Sequence, residues 1–283
     1  MSATVFQSVS LHDTLIARRA PRGFALRIRH EDASLPRGRR RRRAANAIPA
    51  GRTNLVLRAA RATLERFGVD GGARFTLVKR IPSRAGLGGG SADAAATLAA
   101  LRRLYAIRAP KASWSALALD LGSDVPFAWL GGTALGLGRG EKLTPLRLDR
   151  PFEALIAMPT WHVSTAQAFA RIDESRLTLT TWRAQLRFAH DFVRKRVKPL
   201  RALRMGNTFE GVLGARQSDH EELRARLFAA GAADVRMTGS GSALFAIPGS
   251  DASVMDVAGR FAGNERLFVV RSTRAGVRLR MQP

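Results

Sequence analysis

The stretch "PSRAGLGGGSADAAATLAAL", residues 82–101, crowds four glycines into positions 86–90 and then runs directly into alanine-rich sequence. Glycine loses more backbone freedom on ordering than any other residue. Alanine is the best helix former. A glycine loop opening a helix makes an anion site. Bare N–H groups can approach a phosphate, and the helix dipole favours its charge. Ser91 and Asp93 fall on the first turn, where a hydroxyl can donate to a phosphate oxygen or help hold Mg²⁺. The plainer reading is a tight turn that lets the helix pack closely. Two familiar phosphate loops are excluded by their spacing. A Walker A loop needs a lysine after its last glycine, and a dinucleotide fingerprint needs glycine where Ser91 stands.

Composition bounds what the loop can serve. The 283 residues suffice for one large domain or two ordinary ones, and 46% hydrophobic with 24% charged residues is a globular mixture. There is no cysteine, which removes disulfides, thiolate metal sites and a thiol nucleophile. His12, His30, His162, His190 and His220 show no metal-ligand spacing, so no metal site is expected on histidine. No apolar run approaches the roughly 20 residues of a membrane helix, and no signal peptide is visible; a cytoplasmic protein is expected. The balance of 47 basic against 22 acidic residues gives +25. Its densest part is Arg37 and the run Arg39 to Arg43. Such a block reads as a solvated loop insertion, or as a patch for nucleic acid. It lacks the interleaved aromatics of RNA-binding modules.

Periodicity predicts strands over 4–16 and 24–29, a loop over 31–50, and a helix over about 54–67. Thr53 or Asn54 caps that helix; Val56, Ala59, Ala60, Thr63, Leu64 and Phe67 form its apolar face, and Gly68 stops it. A strand at 73–80 carries Lys79, which nothing in the sequence places at the site. The helix after the glycine loop runs to about Tyr105, with another near 113–121 and a glycine-rich strand at 131–138. The second half repeats the mixture. Strands are predicted at 152–159 and 267–272, a strand–turn–strand at 234–248, and helices at 165–171, 180–196, 218–230 and 251–262. Leu223, Leu227 and Phe228 are assigned to one face of the third of these helices. The pattern is α+β, with two lobes meeting near residue 150, namely 1–150 and 151–283.

Two further segments narrow the chemistry. "LGSDVPFAWLGGTALGLGRGEKL" (121–143) sets Asp124 between a glycine turn and a proline turn, and "MTGSGSALFAI" (237–247) is a second small-residue loop between strands. Together with 82–101 they resemble the GHMP kinase superfamily. Its ATP loop, Pro-x3-GLGGGS-[SA]-DAA, is similar to Pro82 onward, and its G-[AS]-DVPF segment to Gly122–Phe127. The GGTA-x-G-x-GRGE-x-L stretch from Gly131 to Leu143 looks like the branch acting on 4-diphosphocytidyl-2-C-methyl-D-erythritol. "IPAGRTNLVLRAA" (48–60) and "NTFE" (207–210) are similar to further segments of that branch.

The resemblance implies a two-lobed fold, ATP-binding half first, and phosphorylation of the substrate's 2-hydroxyl with ATP and Mg²⁺ in the non-mevalonate isoprenoid pathway. It implies that Pro82, Ser83, Arg84, Ala85, Gly86, Leu87, Gly88, Gly89, Gly90, Ser91 and Ala92 cradle the ATP phosphates. Asp124 would accept the substrate's proton, Gly239, Ser240 and Gly241 would approach the substrate or γ-phosphate beside Thr165, and Phe169 would stack on cytosine. The family also carries an A-K-x-N strand, whose lysine neutralises charge, and a GYHEL-like turn, whose histidine reads the cytosine. Both precede a segment like Thr4–Asp13. Neither has a counterpart in the 283 residues, so slow transfer or none is expected of them. Competing readings are a sister kinase such as a homoserine kinase, an inactive ATP-binding relative, and a basic nucleic-acid-binding protein.

Overall fold

A computed structural model describes residues 2–36, 48–148, 150–174 and 206–281. The arginine run and the helix expected at 180–196 lie outside the described residues.

Three sheets organise the described chain. Strand β1 (Ser2–Gln7) pairs antiparallel with β5 (Thr133–Gly138), which pairs antiparallel with β6 (Lys142–Leu146). In the second sheet β4 (Gly72–Lys79) lies between β2 (Thr14–Ala20), antiparallel, and β3 (Gly23–His30), parallel. The third is antiparallel throughout, in the order β10 (Arg266–Arg271), β7 (Glu153–Met158), β9 (Leu244–Pro248), β8 (Ala232–Met237).

The single strand expected over 4–16 is therefore two. Residues 8–13 leave the ladder because their polar groups are engaged elsewhere. Ser8 Oγ lies 2.7 Å from Thr273 Oγ1, and Asp13 Oδ1 accepts from the Arg80 and Ile81 amides.

Helices cover the second sheet. In α1 (Leu55–Arg66) Asn54 is the cap, its side chain accepting from the Val56 amide at 2.9 Å. Val56, Leu57 and Ala60 pack with Leu101 of α2 (Gly89–Leu104) onto Phe75 and Leu77. The other side of α2 builds a second core through Ala94, Ala95 and Leu98, with Trp114 and Leu117 of α3 (Lys111–Leu121) and Val125 of α4 (Val125–Leu130).

Strand β7 shows why the second half reads as a continuous apolar run. Successive side chains point to opposite faces, and here both faces are buried. Leu155 and Ala157 join Leu223 and Leu227 of α6 (Gln217–Ala229) and Val254, Val257 and Ala258 of α7 (Val254–Arg260). Ala154, Ile156 and Met158 face the other way, in a cluster with Phe268, Val270 and Ala85, packed by Leu87. The third sheet is thus a wall with helices behind it and the glycine loop in front. Phe228 does not share the buried face of α6: it is 38% exposed, being about 100° round the helix from Leu227.

Candidate active site

The glycine loop leaves β4, turns at residues 82–88 and enters α2 at Gly89. Gly88, the residue before the helix, has φ +64° and provides no side-chain cap, so the first-turn N–H groups carry none. A Cβ there would meet nothing within 4 Å, which describes an open approach to the helix end. Pro82 and Ala85 are buried, Ser83, Leu87, Gly89, Ser91 and Ala92 are half-buried, and Gly90 is exposed. Arg84 is exposed and has φ +56°, an uncommon conformation for a residue with a Cβ.

Beneath the loop lies a buried ionic cluster. Lys79 Nζ pairs with Asp13 and, at 2.7 Å, with Asp93 Oδ2. It would sit 3.1 Å from a Cβ on Gly89. This corrects the sequence reading of Lys79. It stands directly under the loop, because β4 ends where the loop begins, and it is neutralised there by two carboxylates. Burial beside Asp13, only partly offset by Lys79, pushes the Asp93 carboxyl up to about 7.

The second small-residue loop docks on the first. Thr238 Oγ1 donates to the carbonyls of both Ala85 and Gly86 at 3.0 Å, and the Ala243 amide donates to Ala85 at 3.2 Å. A Cβ on Gly86 would fall inside contact distance of the Thr238 carbonyl, and one on Gly239 would lie 3.1 Å from the Gly86 carbonyl. Backbone thus lies against backbone, and only glycine allows that approach. Ser240 Oγ lies 2.8 Å from Thr165 Oγ1 at the start of α5 (Thr165–Glu174). Four residues along α5, Phe169 is 54% exposed, its ring 5.0 Å from that of Phe209 and nearly perpendicular to it.

Asp124 precedes α4. Val125 shares a core with Ala94 and Ala95, so α4 opens beside the early turns of α2. The Asp124 carboxylate makes no cap hydrogen bond to α4. Its side chain reaches solvent, yet the surrounding protein desolvates it enough to raise its pKa above the ordinary aspartate value. The glycines that follow serve packing. A Cβ on Gly131 would strike Gly276 of the C-terminal segment, and Phe6 lies against Gly136 and Gly140.

Several residues beside the candidate site received no role from sequence reasoning. Thr238, Asp13, Asn207, Phe209 and Glu210 all stand in quoted segments, where a motif position without a stated role was the available signal. Their partners lie roughly 30 to 150 residues away in the chain.

Docked glycine loops, a helix N-terminus open to an anion and a desolvated carboxylate beside that helix are the parts of a phosphotransferase of the GHMP class. Residues 54–132 match the GHMP kinases N terminal domain. The chain is 35% identical over 270 residues to 4-diphosphocytidyl-2-C-methyl-D-erythritol kinase of Pelotomaculum thermopropionicum, covering 95% of this chain and 88% of that one. A crystal structure of 4-(cytidine 5'-diphospho)-2C-methyl-D-erythritol kinase superposes with TM-score 0.69 at 32% identity, over 95% of this chain and 89% of the other. A homoserine kinase from Cytophaga hutchinsonii superposes at TM-score 0.71 with 19% identity, over 96% and 89%, a likeness of fold alone. The chain belongs to the 4-diphosphocytidyl-2-C-methyl-D-erythritol kinase family of GHMP kinases. No helix among the described residues is long and apolar enough to cross a membrane.

Proposed function

We propose that this chain transfers the γ-phosphoryl group of ATP to the 2-hydroxyl of 4-diphosphocytidyl-2-C-methyl-D-erythritol. The observation that carries the reading is the docking of loop 238–242 on Ala85 and Gly86, which sets a nucleotide-phosphate cradle against a second run of small residues. Phosphoryl transfer requires positioning and charge compensation more than covalent chemistry. The loop from Pro82 to Ala92 holds the ATP phosphates by backbone N–H groups. Mg²⁺ arrives on the nucleotide, with Ser91 a candidate oxygen.

Asp124 is the base, and its raised pKa makes it a better proton acceptor. The substrate oxygen attacks the γ-phosphorus, the bond to the β,γ-bridging oxygen breaks, ADP leaves, and the hydroxyl proton passes to Asp124. Phe169 offers a ring for the cytosine, and Thr165 with Ser240 lines the path between base and phosphates. The working division is 1–150 for nucleotide and 151–283 for substrate.

ADP release dependent on the cytidine-linked polyol tests this, with homoserine as the control acceptor. CMP should compete with the polyol. Relative to the parent chain, whose own transfer is expected to be slow, Asp124→Asn should lower kcat by about 10²–10⁴-fold, with ATP affinity little changed. Turnover of homoserine without the polyol, or near-normal kcat in Asp124→Asn, would overturn the substrate or the base respectively.

A further inference from the structure

The segment Asn207–Gly211 touches both halves of the candidate site. It is a short 3₁₀ turn (Thr208–Gly211) capped by Asn207, whose Oδ1 accepts from the Phe209 amide at 3.0 Å. The same side chain reaches the other way. Its Nδ2 donates to the carbonyls of Met237 and Gly239, each at 2.8 Å. Glu210 Oε1 accepts from the Met237 amide at 2.7 Å. Two side chains of one turn therefore satisfy both backbone groups of Met237, the last residue of β8, and hold the carbonyl of Gly239 two residues on.

That loop is the one clamped to Ala85 and Gly86 by Thr238. Phe209 lies between these two polar residues and presents its ring to Phe169. Arg171, one half-turn further along α5, donates to the carbonyls of Val212 and Leu213 just after the turn. The turn is thus joined to Phe169 by a ring contact and to loop 237–239 by three hydrogen bonds, and the two residues after it are joined to α5 by two hydrogen bonds from Arg171.

We propose that the Asn207–Gly211 turn serves both phosphoryl transfer and nucleobase recognition through separate side chains, with Asn207 and Glu210 as positioning residues for loop 237–241 and Phe209 as a specificity residue that orients Phe169 for a pyrimidine ring. The proposal rests on the reading of Phe169 as the cytosine platform. Phe169 is 54% exposed, and an edge-on neighbour restrains its ring while leaving exposed area for a base. A displaced loop misplaces the groups beside the γ-phosphate, and an ångström of misplacement costs roughly 10²-fold in rate.

The physical split between the residues makes the test. Asn207→Asp preserves size and the cap acceptor but turns a donor into an acceptor against two carbonyls. It should lower kcat by about 10–100-fold, with CDP affinity unchanged. Phe209→Leu should weaken CDP, measured by calorimetry on the full chain, by about two- to tenfold, with kcat within a few-fold. Glu210→Gln keeps an acceptor for the Met237 amide and should retain most of the activity. Wild-type kcat in Asn207→Asp, or equal losses of kcat and CDP affinity in both variants, would make the turn a structural staple and overturn this division of roles alone. CDP binding without transfer to the polyol would overturn the proposed reaction, and the Phe209→Leu affinity would still decide the platform contact. A wild-type chain that binds no CDP would overturn both.

Discussion

Gly86 and Gly88 look alike in the sequence and differ in what they permit. Both have φ near +70°, where a side chain is strained. Gly86 is also pressed against the Thr238 carbonyl, whereas Gly88 faces open space. Gly86→Ala must therefore part the two loops, and Gly88→Ala meets only the backbone penalty. The expected outcome is a large loss of kcat in Gly86→Ala and a smaller one in Gly88→Ala, with both proteins folded by circular dichroism. Equal losses would show that the interloop contact is unimportant. Asp124 could be singled out from its motif, but its lack of a capping bond could not. An aspartate before a helix is ordinarily a cap, and only the built helix shows that this carboxylate makes no capping bond.

At the scale of elements, the cluster of Lys79, Asp13 and Asp93 joins the end of β4, the segment before β2 and the second turn of α2. Burial, with the Asp13 charge beside it and only partly offset by Lys79, raises the Asp93 pKa to about 7 against an ordinary value near 4. A carboxyl that binds its proton more tightly in the folded state contributes stability below the ordinary value. That contribution fades as pH rises through about 7. The thermal midpoint of the wild type should fall between about pH 5 and about pH 8, and Asp93→Asn should flatten that slope. A wild-type midpoint that rises over this interval would refute the sign. Lys79→Met removes the cation paired with both buried carboxylates and should destabilise by about 3–5 kcal/mol, read by denaturant unfolding.

For the whole molecule, charge is the unusual quantity. At +25 the chain should bind polyanions, and such binding should weaken steeply with added salt. The catalytic proposal does not require the arginine run. Before it, the chain is tied down at Leu35, whose amide donates to the Leu267 carbonyl at 2.7 Å, and by Arg266 pairing with Asp32 at 2.8 Å. After it, Asn54 Nδ2 donates to the Pro49 carbonyl at 2.8 Å just ahead of α1. The anchoring bonds on both sides are made by residues outside 37–43. Deleting those residues should leave kcat and KM within a few-fold, and a loss of turnover by orders of magnitude would assign the charges to substrate.

Most helices and strands were legible because their information is local. Asn54 before an apolar face and Gly68 after it delimit α1, and alternation in 24–29 gives β3. The reading failed where a long-range bond overrode local pattern. Residues 8–13 are strand-like, yet Ser8 and Asp13 are taken by Thr273 and by the end of β4. The site divides in the same way. The glycine loop could be read from spacing, since a phosphate cradle and a helix N-terminus are built from consecutive residues, whereas Asp124 and the second small-residue loop were singled out by resemblance to the GHMP kinases. That Thr238 clasps Ala85 and Gly86, that Lys79 lies under Gly89, and that Asn207 holds Gly239 depended on packing the third sheet against the loop. A hydrogen bond between residues 30 to 150 positions apart has no signature in either segment alone. It exists only once the cores on both sides have brought the two backbones within about 3 Å.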